Sequence, residues 1–300
     1  QLMRKKIVVF GGSGFLGRYF CEEILLASSN INLINYDLKK INIKSKFYQF
    51  VKGDIQDKEK INRVLKNAEF VFNFAGISDI EECQNDPIKS ANINIIGNLN
   101  ILNACVKNKI KKIFFASSLY SFSDQGSFYK CSKQSSEIYL MEFKKLYNLD
   151  YVILRYGSVY GEDCSVNNGL YKILKNLIIK KKLLYNGSKK TERSYIHVRD
   201  VAKITIKILK SNTKNCVYLI KGSKNIKIYN LLNFIKKIMN VNYKVSFQKN
   251  KLIAHYIKYP DKFVEPIIKK IKFEEKISLE QGLISLNNYM KEKYKKFGKI

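Results

Sequence analysis

Three glycines follow the first apolar run of the chain at a regular spacing. Ile7 to Phe10 are four consecutive apolar residues, a pattern typical of a buried parallel strand. Residues 11–17 then read Gly-Gly-Ser-Gly-Phe-Leu-Gly, and residues 15–27 have the apolar spacing of a helix. A glycine-rich turn between a strand and a helix is the arrangement that binds a pyrophosphate at the helix N-terminus. The sequence therefore predicts a dinucleotide-binding α/β fold.

Each residue of this turn has its own predicted task. Gly11 permits the tight turn, Gly14 lets the backbone approach a phosphate, and Gly17 lets the helix pack closely on the sheet. Phe15 and Leu16 begin the helix, where backbone N–H groups are free to bind an anion. The spacing is GxxGxxG, and a purely structural glycine turn is the alternative interpretation.

Two acidic residues follow the second and third predicted strands. Asp37 lies twenty positions after Gly17, where a carboxylate can accept hydrogen bonds from ribose hydroxyls and repel a 2′-phosphate. This favours NAD over NADP, although Lys39 and Lys40 follow at once and weaken the preference. Asp54 is a candidate adenine contact, and a helix cap is the equally weighted alternative.

Strand-like and helix-like segments alternate through the first half of the chain. Strands are predicted at 7–10, 31–36, 47–51, 70–74, 113–116 and 152–154, with helices at 15–27, at 88–108 and from near 129. This alternation predicts a Rossmann-type, doubly wound parallel sheet. The second half is less regular, with helices predicted at 168–182, 198–210 and 228–239.

Charge and composition limit the classes of partner. The net charge is +30, and residues 151–300 hold 33 basic and 10 acidic side chains. Only six of the 55 basic residues are Arg, which nucleic-acid readers need for bidentate contacts, so no nucleic-acid partner is expected. A lysine-rich composition explains the charge, with an anionic small substrate or an anionic membrane surface as alternatives.

Other sites and locations are also constrained by composition. The chain has two histidines and six cysteines without a CxxC pair, so no metal site is predicted. No stretch approaches the roughly 18 apolar residues of a membrane span, and no signal peptide is visible, so we expect a cytoplasmic protein without an integral membrane segment.

A serine, a tyrosine and a lysine form the candidate reactive group. The fifth predicted strand ends at Ser118, and Tyr129 and Lys133 lie four residues apart, on one face of the next helix. A lysine ammonium beside a phenol lowers the pKa of the phenol, as would the positive nicotinamide of an oxidised cofactor, so Tyr129 becomes a candidate general base. Tyr-x-x-x-Lys occurs six times in this chain, so only its position after the strand carries meaning.

Eight segments in order are similar to the motifs of one enzyme family. They are residues 11–17, 53–55, 72–76, Asn94 with Gly97, Ser118 with Tyr129 and Lys133, 154–161, 193–202 and 278–283. On these residues the chain resembles an extended short-chain dehydrogenase/reductase of the NAD-dependent epimerase/dehydratase family, whose members act on nucleotide sugars. The resemblance covers nearly the whole chain.

The resemblance implies roles for individual residues. NAD would be bound by residues of the glycine turn and by Asp37, Asp54, Ile55, Phe74, Ala75, Gly76, Tyr129 and Lys133. Ser118, Tyr129 and Lys133 would be catalytic. The nucleotide sugar would be bound by Ser118, Ser158 and Arg193, the last gripping its pyrophosphate. A surface ion pair of Arg193 with Glu192 or Asp200 is the alternative.

Several positions depart from the family pattern. Ser158 stands where many members have Asn, which puts that substrate contact in doubt. Ser118-Leu119-Tyr120 replaces the Thr-Asp-Glu of sugar-nucleotide 4,6-dehydratases, which argues against water elimination. The segment between Ser118 and Tyr129 is short, which leaves the expected substrate mouth more open.

The resulting hypothesis is a nucleotide-sugar epimerase acting at C4 through transient oxidation. A 4-ketoreductase using NADH or NADPH and a catalytically silent NAD-binding scaffold are the alternatives. The expected architecture is a seven-stranded NAD-binding domain over 1–157, with 193–215 returning to it, and a smaller C-terminal α/β substrate lobe over 158–300. By the same resemblance, two copies would pair as a homodimer through helices that include the one carrying Tyr129.

Overall fold

The computed structural model describes residues 4–248 and 268–298, which form two compact units. The first unit contains residues 4–156, 201–220 and 268–272. The second contains residues 157–200, 221–248 and 273–298. The chain therefore leaves the first unit after its sixth strand and returns to it twice.

The first unit is built on an eight-stranded parallel sheet. Its strands are β1 (Lys5–Phe10), β2 (Ile31–Asp37), β3 (Tyr48–Lys52), β4 (Phe70–Asn73), β5 (Lys112–Ser118), β6 (Asp150–Tyr156), β11 (Cys216–Ile220) and β14 (Ile268–Lys269). Their order is β14-β11-β6-β5-β4-β1-β2-β3, and every neighbouring pair is parallel. The predicted doubly wound parallel sheet is confirmed. The chain adds β2 and β3 on one side of β1 and β4 on the other, so the strand order reverses there.

Helices connect these strands, and three of them begin with an aspartate cap. They are α1 (Phe15–Ala27), α2 (Lys58–Leu65), α3 (Ile80–Asn85), α4 (Pro87–Ala91), α5 (Gly97–Lys107), α6 (Ser127–Tyr147) and α8 (Val198–Lys210). Asp57, Asp79 and Asp86 cap α2, α3 and α4 with side-chain oxygens that accept backbone N–H bonds. The helix predicted over 88–108 is divided, because a π-helical turn at Asn92–Ile96 separates α4 from α5.

Apolar side chains on the sheet form the core of the first unit. On one face, Phe20 of α1, Phe72 of β4 and Phe114 of β5 stack with ring centroids 4.2–4.3 Å apart. On the other face, Val8 and Phe115 are at most 1% exposed and pack among aliphatic residues of the helices. Burying each aromatic ring contributes roughly 2–3 kcal/mol, and this packing holds the strand ends in register.

The sheet has one strand more than expected. The additional strand β14 pairs with β11 through only two residues, Ile268 and Lys269. Such a short segment has no alternation that sequence patterns can detect. The strand predicted at 47–51 is observed at Tyr48–Lys52.

The second unit consists of short strand pairs and three helices. Its elements are β7 (Ser158–Tyr160), β8 (Leu183–Asn186), β9 (Glu192–Arg193), β10 (Tyr195–His197), β12 (Ile226–Lys227), β13 (Val245–Gln248), α7 (Gly169–Lys180), α9 (Ile228–Ile238) and α10 (Leu279–Lys296). The pairs are β7 with β10, β9 with β12 and β8 with β13. Asp200 is fully buried, and its Oδ2 accepts the N–H groups of Lys276 and Ile277, which fixes the approach to α10.

Within the described ranges, none of the helices combines the length and the apolar character needed to cross a bilayer.

Replacing Gly17 with Ala tests the close packing of α1. A Cβ at Gly17 would lie 2.2 Å from the carbonyl oxygen of Gly11 and 2.7 Å from the Cα of Gly12. Since these are backbone atoms, the turn must shift, and we expect a loss of about 1–3 kcal/mol in the free energy of unfolding. Denaturant unfolding monitored by circular dichroism measures it.

Gly169→Ala is the matched control for this substitution. Gly169 begins α7, and a Cβ there would meet no atom within 4 Å. We expect it to be neutral or stabilising by about 0.5–1 kcal/mol, because Ala is the better helix former. Equal effects of the two substitutions would contradict the packing assigned to Gly17.

Candidate active site

The glycine turn forms an open cradle at the end of β1. Gly11 has a φ of +75° and donates its N–H to Tyr36 O at 3.1 Å. A Cβ at Gly14 would meet only Gly11 O, at 3.3 Å, so the turn leaves open space beside that backbone. The helix α1 begins at Phe15 without a side-chain cap. Uncapped N–H groups facing open space fit a phosphate group.

Asp37 lies beside this turn at the end of β2. Its Oδ2 accepts the N–H of Ser13 at 2.9 Å, and its Oδ1 accepts the N–H of Lys39 at 3.2 Å. A carboxylate has about four acceptor positions, so this half-buried group retains capacity for ribose hydroxyls. Asp37, the residue predicted to bind the ribose, therefore lies beside the turn predicted to bind the pyrophosphate.

Asp54 and Ile55 follow β3 but differ in exposure. Asp54 is exposed, and its carboxylate accepts the N–H of Gln56 at 2.9 Å. The helix-cap alternative for Asp54 is wrong, because Asp57 caps α2. Ile55 is 8% exposed, and a Cβ at Gly97 would lie 2.5 Å from its Cδ1, so its side chain packs on α5.

The three candidate catalytic residues come together in the first unit. Ser118 is the last residue of β5, and Tyr129 and Lys133 occupy successive turns of α6. All three are at most 8% exposed, and a side-chain hydrogen bond joins Ser118 to Tyr129. The Nζ of Lys133 lies 5.9 Å from the centroid of the Tyr129 ring and donates to Ala116 O at 2.9 Å.

Burial sets the protonation of this group. It raises the pKa of Tyr129 to about 12, and the hydrogen bond from Ser118 opposes the rise. It lowers the pKa of Lys133 to about 8. The expected lowering of the Tyr129 pKa by Lys133 is not met in the protein alone, because desolvation dominates and the Lys133 ammonium donates to a backbone carbonyl. A cationic cofactor ring would add the missing positive charge.

The segment Phe74–Gly76 lies beside the Lys133 ammonium. Gly76 has a φ of +147°, and a Cβ there would lie 2.8 Å from Asn94 Oδ1 and 3.8 Å from Lys133 Nζ. Phe74 and Ala75 are half-buried and follow β4 directly. The proposed cofactor segment and the proposed catalytic lysine are thus neighbours in the fold.

Asn94 lies in the π-helical turn and connects Ile77 to α6 through hydrogen bonds. Its Oδ1 accepts the N–H of Ile77 at 2.7 Å, and its Nδ2 donates to Ile77 O and to Ser132 Oγ at 3.0 Å each. The Oγ of Ser136 donates to Asn94 O at 3.0 Å. Sequence patterns alone assigned Asn94 no task. The asparagine three residues before Gly97 was the only signal, and it came from the family resemblance.

A buried ion pair lies directly behind Ser118 and Lys133. The carboxylate of Glu137 accepts from Arg155 Nε at 3.0 Å and from Nη2 at 2.6 Å, and both side chains have no exposed surface. Ser117 donates to the same carboxylate. Arg155, the next-to-last residue of β6, thus belongs to a fully buried ion pair. Glu137 was not predicted, although it lies one helical turn after Lys133.

The predicted substrate residues belong to the second unit. Ser158 is half-buried and begins β7 opposite Tyr195 of β10. Arg193 is 8% exposed in β9, and its Nη1 donates to Glu192 O at 2.8 Å. Both remain predictions as substrate contacts.

His197 is buried in the second unit and is held by a backbone hydrogen bond. Its Nδ1 accepts the N–H of Arg199 at 3.3 Å, which leaves the proton on Nε2, 3.4 Å from the Glu162 carboxylate. The neighbouring imidazole of His197 is the largest reason why the pKa of Glu162 falls to about 2.

Comparisons with known proteins assign the chain to a family. The sequence model of the NAD dependent epimerase/dehydratase family matches residues 7–220. A putative UDP-glucose 4-epimerase of Methanocaldococcus jannaschii is 29% identical, over 95% of this chain and 98% of that protein.

Two solved structures share the fold. UDP-glucose 4-epimerase of Thermotoga maritima with UDP-glucose has a TM-score of 0.82 at 23% identity, covering 96% of this chain and 99% of that chain. UDP-glucuronic acid 4-epimerase of Bacillus cereus with UDP-glucuronic acid and NAD has a TM-score of 0.81 at 21% identity, covering 96% and 100%.

Removing one partner of the buried ion pair should lower the free energy of unfolding of the first unit. Arg155→Met leaves the Glu137 carboxylate buried without its main partner, and we expect a loss of roughly 3–5 kcal/mol. The double variant Glu137→Leu with Arg155→Met buries no unpaired charge, so it should lose far less. Guanidinium unfolding of both variants measures the difference. A double variant as unstable as Arg155→Met would contradict the pairing.

Proposed function

The chain belongs to the NAD-dependent epimerase/dehydratase family, and from that premise we propose that it is a nucleotide-sugar epimerase that inverts C4 of a UDP-sugar. The observation that carries this proposal is the buried group Ser118–Tyr129–Lys133 beside Gly76. The names of the relatives, UDP-glucose and UDP-glucuronic acid 4-epimerases, support the choice of carbon and nucleotide.

The residues of the first unit are suited to hold NAD. The uncapped start of α1, with Gly14, Phe15 and Leu16, would bind its pyrophosphate. Asp37 would bind the adenosine ribose, with Asp54 and Ile55 at the adenine end. Phe74, Ala75 and Gly76 would line the opposite end, near Lys133. When bound, NAD accepts a hydride from the sugar carbon and returns it.

Tyr129 would move the proton that accompanies this hydride. As the C4–H bond breaks, Tyr129 takes the proton of the C4 hydroxyl, and the C–O bond becomes a carbonyl. Ser118, which already hydrogen bonds to Tyr129, would hold the same oxygen. After the keto-sugar presents its other face, the same phenol returns the proton. No atom is gained or lost, so the reaction is an isomerisation.

Lys133 would stabilise the phenolate form of Tyr129. A pKa of about 12 for Tyr129 in the protein alone is too high for a base near neutral pH. The ammonium of Lys133 adds positive charge 5.9 Å from the ring, and the oxidised cofactor adds more. Reduction of the cofactor would remove that second charge, which would raise the pKa of Tyr129 and keep its hydroxyl protonated until the return step.

Residues next to Ser118 disfavour dehydration. Water elimination needs an acid and a base beside the sugar, yet Leu119 is 1% exposed and Tyr120 stacks edge-on against Tyr129 at 6.3 Å. Neither position offers a carboxyl group. A 4-ketoreductase remains the second candidate, because the same three residues would serve it. It would consume one reduced cofactor per sugar, whereas the epimerase would consume none.

Two copies would associate through α6. This helix exposes Ile138, Tyr139 and Leu146 by 49%, 42% and 72%. On two elements that contact α6, Ile88 of α4 and Ile96 of the π-helical turn are 73% and 42% exposed. Apolar side chains of this size favour burial against another surface, and a second copy of the chain would provide one.

Tyr129→Phe tests the proposed acid–base role. Phe keeps the ring but cannot exchange a proton, so turnover of the accepted UDP-sugar should fall by about 10³-fold or more. NAD binding, followed by calorimetry, should change little. Proton NMR of the sugar measures turnover.

Tyr139→Phe is the matched control on the same helix. Tyr139 is 42% exposed, so its hydroxyl has no part in the buried group. It should leave turnover unchanged. Full activity of Tyr129→Phe, or equal losses in both variants, would contradict the assignment.

A further inference from the structure

A lysine-lined cleft lies at the edge of the sheet opposite the glycine turn. Its volume is about 690 Å³, and its walls are the starting residues of β1, β2, β4, β5 and β6 together with the end of α8. All of these belong to the first unit. The strand β1 runs from Lys5 at the cleft to Phe10 at the turn, a separation of about 17 Å. The cleft is therefore a different site from the proposed active site.

The cleft carries an excess of positive charge. Lys5, Lys111, Lys112, Lys210 and Lys214 line it, against the carboxylates of Glu69 and Asp150, so the lining residues have a net charge of +3. Helices α1 and α8 end here, and each helix end contributes about −0.5 charge, which leaves about +2. The ends of the helices do not balance the lysines.

The two carboxylates are already engaged. Glu69 lies 3.9 Å from Lys5 Nζ and 3.3 Å from Lys111 Nζ. Asp150 accepts from Lys144 at 2.6 Å and lies 2.9 Å from Lys214. Each acid is thus shared by two lysines, and its single charge cannot neutralise both.

Lys112 is the buried cation of the cleft. It is 8% exposed, and its Nζ donates to Thr213 O at 2.8 Å. An ammonium has three donors, so two remain for another acceptor. In the described part of the chain, neither Lys112 nor Lys210 has a carboxylate within 4.0 Å. Burial lowers the pKa of Lys112, and a bound anion would favour its charged form.

The cleft has a small apolar floor. Phe70 and Leu209 line it and are half-buried, whereas the isoleucines of the lining, Ile7, Ile24, Ile31 and Ile206, are at most 6% exposed. Small-molecule sites combine such a floor with a few polar groups, and their volumes run from about 300 to 1,000 Å³. The cleft has the size, floor and charge of a binding site.

We propose that this cleft binds a phosphate monoester with an apolar or aromatic ring. The phosphate would be bound by Lys112 and Lys210, neither of which has an ion-pair partner within 4.0 Å among the described residues, and the ring would lie against Phe70 and Leu209. A dianion also relieves the mutual repulsion of five ammonium groups around one concave surface. This inference does not depend on the proposed epimerase activity.

Binding of phenyl phosphate tests the proposal. This probe has the charge and the ring but no nucleoside, so it is a poor mimic of a dinucleotide. Calorimetry gives its Kd for the wild-type chain and for Lys112→Gln with Lys210→Gln. We expect about tenfold or weaker binding in that variant, since two charge-assisted hydrogen bonds are lost. Lys210→Gln alone, at an exposed position, replaces it if the double variant does not fold.

A charge-matched pair separates a built site from bulk charge. Lys236→Gln with Lys237→Gln removes the same charge from α9 in the second unit. Its Kd should stay within about twofold of wild type. Equal weakening by both pairs, or no binding to the wild-type chain, would overturn the proposal.

Hydrogen exchange places the probe on the structure. Protection by phenyl phosphate at residues 28–31, 111–112 and 206–214 is the expected result. Protection confined to residues 11–17 would mean that the phosphate occupies the glycine turn, which would also overturn the proposal.

Discussion

Parallel pairing of the strands is the constraint on which the proposed site depends. Because all strands of the large sheet run in one direction, their last residues reach the same edge. The register places Phe10 beside Asn73 and Asn73 beside Phe115, so the residues that follow these strands emerge together. The glycine turn, the segment after β4 and Ser118 are therefore assembled by backbone hydrogen bonds, before any side chain contributes.

Packing beneath that edge then sets the chemistry. Tyr129 and Lys133 are held in a dry environment that raises the pKa of one and lowers that of the other. Both shifts disfavour the charged forms, the phenolate of Tyr129 and the ammonium of Lys133. Burying these two polar groups therefore costs stability. The ion pair of Glu137 with Arg155 lies behind them, and Ser117 ties it to the strand that ends in Ser118. The reactive group thus has a rigid polar support, which the apolar core alone would not provide.

Local patterns in the sequence were sufficient for much of this fold. The helix predicted at 15–27 is observed at Phe15–Ala27, because both its glycine turn and its apolar spacing are local signals. The meeting of Ser118 with Tyr129 also followed, since strand direction alone brings a strand end to the start of the next helix. These features depend on residues close in the chain or on the handedness of βα units.

Features that depend on distant residues were not predictable in the same way. The π-helical turn contains Asn94, which hydrogen bonds to Ile77, seventeen residues away. The spacing of apolar residues along a helix carries no information about that contact. The raised pKa of Tyr129 depends on burial by the whole unit, so a lysine four residues later was a poor guide. The cleft at the edge where the strands start is likewise assembled from five strands, which no single segment reveals.

Proton NMR in D₂O tests most directly whether the group Ser118–Tyr129–Lys133 supports an internal, redox-neutral hydride transfer. A panel of UDP-, dTDP- and GDP-sugars is incubated with the protein in D₂O with catalytic NAD and followed by proton NMR. A UDP-sugar should convert to its C4 epimer with no deuterium incorporated at C4, because the hydride returns to the carbon that it left. Deuterium at C4, conversion only with stoichiometric reduced cofactor, or no conversion of any sugar would contradict it.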